Sequence, residues 1–110
     1  MHFDIKKNGK ATILKVRTRK LDASISPELK GEFLMLCAAP TKELIIDLED
    51  VEFCNSSGLS ALLIAERKMR EMSGVVKLAA MQKKVLMLIK ISHLDCAFKI
   101  YDSVAKAVKS

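Results

Sequence analysis

Residues 43 to 48 read Glu43-Leu44-Ile45-Ile46-Asp47-Leu48, and this short run constrains the fold more than any other stretch. Its centre is continuously apolar and rich in isoleucine, with chain breakers on either side. A run of that kind predicts a central strand buried on both faces. After it come Glu49-Asp50-Val51-Glu52-Phe53-Cys54 and the turn Asn55-Ser56-Ser57-Gly58. A helix is expected next, from about Ser57 to Met72. Leu59, Leu62, Ala65, Met69 and Met72 recur there at helical spacing and are expected to face the sheet. Gly74 reads as its C-terminal breaker.

The flanking segments extend the pattern. Phe3 to Ile5 alternate with polar neighbours, Asn8-Gly9 supplies a two-residue turn, and Ala11 to Val16 follow, so the chain opens on a hairpin. Leu21-Asp22 ends the second strand in a loop. Ser26-Pro27-Glu28 has the chemistry of a helix start, with serine at the cap and proline at the first position. Leu29, Phe33, Leu34, Leu36 and Cys37 follow, with Phe33, Leu36 and Cys37 on one stripe, until Ala38-Ala39-Pro40 stops the helix. Val75 to Ala79 predicts a strand, Met81 to Ile91 a helix, and Phe98 to Tyr101 a last short strand. Asp102-Ser103 caps a terminal helix carrying Val104, Ala107 and Val108. The order is ββαβαβαβα, a single α/β domain over residues 1–110. Strand–helix–strand alternation implies parallel pairs with right-handed crossovers, and the hairpin makes the sheet mixed.

Composition excludes several classes. A chain of 110 residues is one domain by length and long enough for a core without staples. The start, Met1-His2-Phe3-Asp4, has no basic stretch leading into an apolar one, and runs such as Leu59 to Ala65 are too short to span a bilayer. A cytoplasmic protein without membrane insertion is expected. The three cysteines, Cys37, Cys54 and Cys96, are widely spaced among apolar neighbours and read as reduced, mostly buried thiols. His2 and His93 share no ligand spacing with them, so neither a metal nor a cofactor is expected. The net charge of +6 and the clusters Lys6-Lys7, Arg17 to Lys20, Arg67 to Arg70 and Lys83-Lys84 raise a nucleic-acid reading. One tyrosine, four phenylalanines and no tryptophan make poor stacking platforms, so a solvated basic face is favoured and direct nucleic-acid binding is not expected.

The turn at residues 55–58 admits two readings from its residues. Helix N-termini present free N–H groups and favour negative charge, so a hydroxyl there can receive a phosphoryl group, which adds a charge of about −1.5 to −2. Alternatively, Asn55 or Ser56 simply caps the helix and Gly58 allows close packing. Nucleophilic catalysis is the weaker idea, since Ser56 and Ser57 lie in no GxSxG elbow, and no Gly-rich phosphate loop with a following lysine is present. Asp47, Glu49, Asp50 and Glu52 alternate near the strand end. A cation site is one reading of them, and an exposed acidic loop the commoner one.

These residues resemble a known family. Glu43 to Leu48, then Val51-Glu52-Phe53, then Asn55-Ser56-Ser57-Gly58-Leu59 look like the core of a STAS domain, the module of bacterial anti-sigma factor antagonists and of sulphate-transporter tails. The family pattern is a buried strand, a short acidic spacer, and Asp-Ser-Ser-Gly-Leu opening a helix. Leu21-Asp22 resembles the family's Leu-Asp after the second strand. The resemblance implies a mostly parallel sheet with helices mainly on one side, and a non-enzymatic role. It implies docking of an anti-sigma factor that is also a serine kinase, phosphorylation at Ser56, and reset by a serine phosphatase. The partner-binding set carried over is Asp22, Asn55, Ser56, Ser57, Gly58 and Leu59, on a monomer or weak dimer.

Two departures separate this chain from the family pattern. Asn55 stands where the family has Asp, which keeps a helix cap but removes a carboxylate. Arg19-Lys20 stand where a glycine is usual before Leu-Asp, making that surface more basic. The alternative to a phosphorylation switch is therefore a constitutive, non-phosphorylated STAS subunit of a transporter or other assembly. A nucleic-acid-binding domain is the third reading.

Overall fold

A computed structural model describes residues 3–9, 11–38 and 43–109. His2, Ala39, Pro40 and the side chain of Cys37, which enter the sequence reading, lie outside the described residues. The elements are β1 (Phe3–Asn8), β2 (Ala11–Val16), β3 (Lys20–Leu21), α1 (Ser26–Ala38), β4 (Glu43–Asp47), β5 (Phe53–Cys54), α2 (Ser56–Glu71), β6 (Val75–Ala79), α3 (Lys83–Ile91), β7 (Lys99–Tyr101) and α4 (Val104–Lys109).

Five strands form one sheet in the order β1-β2-β4-β6-β7. The hairpin β1–β2 is antiparallel, and the pairs β2–β4, β4–β6 and β6–β7 are parallel. Strand β4 is therefore central, as its apolar run requires. Its side chains alternate between faces. Leu44 and Ile46 join the large core with Leu14, Val76 and Leu78, under Leu29 and Phe33 of α1, Leu62 and Met69 of α2, and Val85 and Ile89 of α3. Ile45 points the other way, into a smaller cluster with Ala11, Ala79 and Ala107 of α4. Three helices thus cover one face and the short α4 part of the other.

The second face carries a buried lysine. Lys77 on β6 is only 2% exposed, and its Nζ donates to Glu43 Oε1 and to the Ala107 carbonyl oxygen 3.0 Å away. The ammonium also lies 5.7 Å from the centroid of the Tyr101 ring. A charge so buried persists only because it is paired and hydrogen-bonded. The latch ties the last turn of α4 to the start of β4.

Two very short strands add what the sequence pattern does not contain. Strands β3 and β5 pair in parallel, Lys20 with Phe53 and Leu21 with Cys54, as a separate two-stranded sheet. Glu52 and Phe53 N–H groups donate to the Arg19 carbonyl at 2.8 and 3.0 Å, and Asn55 N–H donates to the Leu21 carbonyl at 3.2 Å. This ladder holds the chain before α2 against the loop after β2.

Several local expectations are corrected. Ser26 is not the α1 cap: it lies in the first turn, and its N–H and Oγ both donate to the Asp22 carbonyl, at 2.9 and 2.8 Å. The chain coils from Asp22 onward, so the helix inherits its start from a preceding turn. Met72 follows the last turn of α2 as its C-cap and is 40% exposed, so it does not face the sheet. The left-handed residue ending α2 is Ser73, at φ 61°, while Gly74 N–H donates to the Met69 carbonyl at 2.7 Å. That is a Schellman closure with serine in the glycine position. Cys54 is a buried free thiol, but Cys96 is exposed in the α3–β7 connector.

Candidate functional site

The site is the junction of β3, β5 and the first turn of α2. Asn55 is the N-cap of α2, with extended backbone at φ −112° and ψ −170°. Its Oδ1 accepts from Ser57 N–H at 3.0 Å and Gly58 N–H at 3.2 Å, and its carbonyl accepts from Leu59 N–H at 3.0 Å. Two orphan donors of the helix end are thereby satisfied by one side chain. The helix starts at Ser56, one residue before the expected Ser57, because Asn55 takes the capping role.

Ser56 is exposed at the first helical position, and Ser57 is half-buried beside it. Neither hydroxyl is hydrogen-bonded to a described residue. A negative group added at Ser56 would sit at the positive end of a sixteen-residue helix whose own first turn carries no acid.

Gly58 sets how close α2 approaches the rest of the site. A Cβ at this position would collide with the Leu21 carbonyl oxygen, and would lie 2.8 Å from Cys54 Sγ and 2.9 Å from Leu21 Cγ. No real side chain fits there without displacing the β3–β5 ladder. Leu59 is half-buried against the main core, so its side chain anchors the turn more than it faces solvent. Cys54 lies beneath the turn, its Sγ 3.6 Å from the Asn55 carbonyl oxygen it donates to. Burial pushes its thiol up to about 11, so it is a neutral, unreactive packing group at neutral pH.

The ladder brings Asp22 to the same junction, because Leu21 pairs with Cys54 and Asn55 N–H bonds to Leu21. The Asp22 carboxylate accepts from Ser24 Oγ at 2.6 Å and from Ser24 N–H at 3.0 Å. The side-chain bond from Ser24, then the backbone one, hold its pKa below the ordinary 3.8. Asp22 thus has a local structural duty in the loop that leads into α1.

Three of the four carboxylates of the acidic loop are engaged internally. Glu49 pairs with Lys15 at 3.2 Å, Glu52 pairs with Arg19 at 3.1 Å, and Asp47 Oδ1 accepts from Glu49 N–H at 3.0 Å. A polar cavity of about 350 Å³ lies here between Arg17, Arg19, Asp50 and Glu52. Among the described residues no three acidic, histidine or cysteine side chains are grouped to hold a metal ion.

Sequence reasoning missed Phe53, which is half exposed two residues before the cap. It also missed the exposed Met87 and Ile91 on α3, a helix that packs against β5. The signal for Phe53 was slight: a large aromatic immediately before a buried cysteine, in a strand too short to show alternation.

The geometry agrees with the sequence pattern and with known proteins. The chain belongs to the STAS domain family, whose pattern matches residues 2–107. It is similar to an anti-sigma factor antagonist from Mycobacterium paratuberculosis, with TM-score 0.87 and 23% identity over 97% of this chain and 90% of that one. The anti-sigma factor antagonist SpoIIAA in its unphosphorylated form gives TM-score 0.84 and 16% identity, over 97% of this chain and 93% of that one. A sulfate transporter family protein from Wolinella succinogenes gives TM-score 0.82 and 14% identity, over 93% and 84%. At these identities the likeness is one of fold. Among the described residues no helix is long and apolar enough to cross a membrane.

Proposed function

We propose that this chain is a partner-switching regulator of the anti-sigma factor antagonist kind. It docks an anti-sigma factor that is also a serine kinase through Asn55, Ser56, Ser57, Gly58 and Leu59, with Asp22 beside them. Phosphorylation of Ser56 releases the partner and a serine phosphatase restores docking. The protein acts as a cytoplasmic single domain, monomeric or weakly dimeric, and is not an enzyme.

The observation that carries this reading is the exposed Ser56 hydroxyl at the first position of a firmly capped helix. The frame around it is rigid, so a phosphoryl group changes charge and shape at a fixed point. Similarity to SpoIIAA supports it too, since that protein occurs in unphosphorylated and phosphorylated forms.

The test is incubation with ATP and the purified serine kinase of the same organism, followed by peptide mass spectrometry. Phosphate is expected on Ser56 and absent from Ser56→Ala, which still binds the kinase. Phosphate on no serine would sink the switch. Asn55→Asp restores the family's carboxylate and is expected to speed the transfer.

Asn55 together with the transporter-family likeness favours a second reading, a constitutive subunit that docks through the same turn without modification. Stable co-purification with a membrane ATPase, unchanged in Ser56→Ala, is its signature.

A further inference from the structure

Helix α3 is built against its own stability. Lys83 and Lys84 occupy its first turn, where the helix dipole disfavours cations. Its N-cap residue Gln82 makes no side-chain capping bond, and its amide Nε2 donates to the Glu49 carbonyl at 2.8 Å. The helix contains no acid at all. None of Lys83, Lys84 and Lys90 forms an ion pair with a described residue. Lys90 suits the last turn, but Lys83 and Lys84 break a local rule without an internal gain, and that points to a use outside the molecule.

The apolar side chains say the same. Val85 and Ile89 turn into the core, at 1% and 0% exposure. Met87 and Ile91 turn outward, at 59% and 68%. Lys83, Leu86, Met87 and Lys90 line one shallow groove of about 240 Å³, following the i, i+3, i+4, i+7 spacing of a helix face. Helix α3 packs against β5, the strand that carries exposed Phe53 and leads directly into Asn55.

We propose that this face of α3 is a second docking element, and that it takes an apolar protein surface rimmed by carboxylates. Met87 and Ile91 fill the partner's apolar patch, and Lys83, Lys84 and Lys90 meet its acidic rim. The inference rests on the docking reading above and names the chemistry of the partner. A protein suits this face better than a lipid surface. Only two large apolar side chains project from a helix of nine residues whose other side is fixed in the core. That is the size of an interface hot spot, and less than a membrane-lying helix buries. The reading also gives the phosphate a sign: negative charge added at Ser56, beside β5, repels a partner surface that is itself acidic.

The test uses the purified anti-sigma factor kinase of the same organism, with calorimetric titration of the wild-type chain, Lys83→Glu/Lys90→Glu, Met87→Ser and Ser56→Glu at low and high salt. The exposed positions leave folding intact, checked by circular dichroism. Each α3 variant is expected to weaken binding at least about tenfold, and the charge-reversed one to flatten the salt dependence. Wild-type affinity in both α3 variants overturns the inference, and if Ser56→Glu alone abolishes binding the turn reading stands without it. Loss in the α3 variants with none in Ser56→Glu upholds α3 and removes the switch. A kinase that does not bind the wild-type chain overturns both. Two parallel measurements exclude other occupants. Wild-type binding to phosphatidylglycerol–phosphatidylcholine vesicles that Lys83→Glu/Lys90→Glu loses, or a dimer in sedimentation that Met87→Ser dissolves, would overturn the acidic-protein assignment.

Discussion

Helix α2 starts at an asparagine whose amide oxygen takes two backbone N–H groups, whereas α3 starts at a glutamine that takes none and is followed by two lysines. Both helices adjoin the β3–β5 ladder, α2 following β5 directly and α3 packing on it. The difference separates two ways of making a contact surface. The α2 start is made rigid and left uncharged, so that a single hydroxyl stands at a fixed point. The α3 start keeps a charge where the helix would prefer its opposite, and further along the same helix Met87 and Ile91 stand in solvent. Stability and display coincide at the first helix and oppose one another at the second.

The largest effect is expected where α2 meets the ladder. Gly58→Ala forces a methyl group against the Leu21 carbonyl and the Cys54 sulfur. It is expected to destabilise the fold by about 1–3 kcal/mol, read as a lower midpoint in urea with an unchanged m-value. A neutral result would show that the α2 start is looser than its contacts imply, and would weaken the contrast with α3. Asn55→Ala removes the cap and leaves the Ser57 and Gly58 N–H groups without it. The expected cost is about 1 kcal/mol in the same titration, while Asn55→Asp retains the cap.

How far this contrast is legible in the sequence depends on element length. Strand β6 falls at Val75–Ala79 as expected, and β4 ends one residue early; short β-branched and aliphatic stretches between breakers, Leu44-Ile45-Ile46 and Val75-Val76 with Leu78-Ala79, carry their own signal. Helix α2 is legible through its periodic leucine, alanine and methionine, and α3 through Val85 and Ile89. Strands β3 and β5 are not, since two residues contain no period and their pairing is decided by the tertiary approach of Leu21 to Cys54. With that ladder unseen, Asp22 attaches to the site only by family resemblance. Lys77 is similarly hidden: a lysine amid a strand reads as an exposed position, and its partners Glu43 and Ala107 lie about thirty residues away on either side. Ser73 shows a third limit. Gly74 next to it draws the breaker assignment, yet the left-handed φ falls on the serine.

The opposite sign is expected at α3. Lys83→Glu replaces a cation in the first turn with an anion that the dipole favours, and is expected to stabilise the fold by about 0.3–1 kcal/mol. Thermal unfolding at low ionic strength reads the gain, and added salt reduces it. A chain made more stable yet poorer at binding would show that α3 is kept basic for its partner. A destabilised variant would mean that the lysine has an internal role, and the comparison between the two helices would lose its second half.

The smallest effect concerns the loop that supports the α2 start from the other side of the ladder. Asp22 accepts two bonds from Ser24, and its carboxyl is held below the ordinary value of 3.8. A folded pKa lower than the unfolded one contributes stability that is present above the unfolded value and is lost as pH falls through the folded one. The wild-type chain is therefore expected to lose a little stability on acidification below about pH 4, in part through Asp22. In Asp22→Asn the side-chain oxygen still accepts from Ser24, but the titrating charge is gone. Its melting temperature is expected to match the wild type in strong acid, where Asp22 is protonated, and to fall slightly below it at neutral pH. Equal differences at both pH values would mean that the carboxylate does not stabilise the loop through its charge, and that Asp22 shapes the entry into α1 through its backbone carbonyl, which accepts from Ile25 and Ser26.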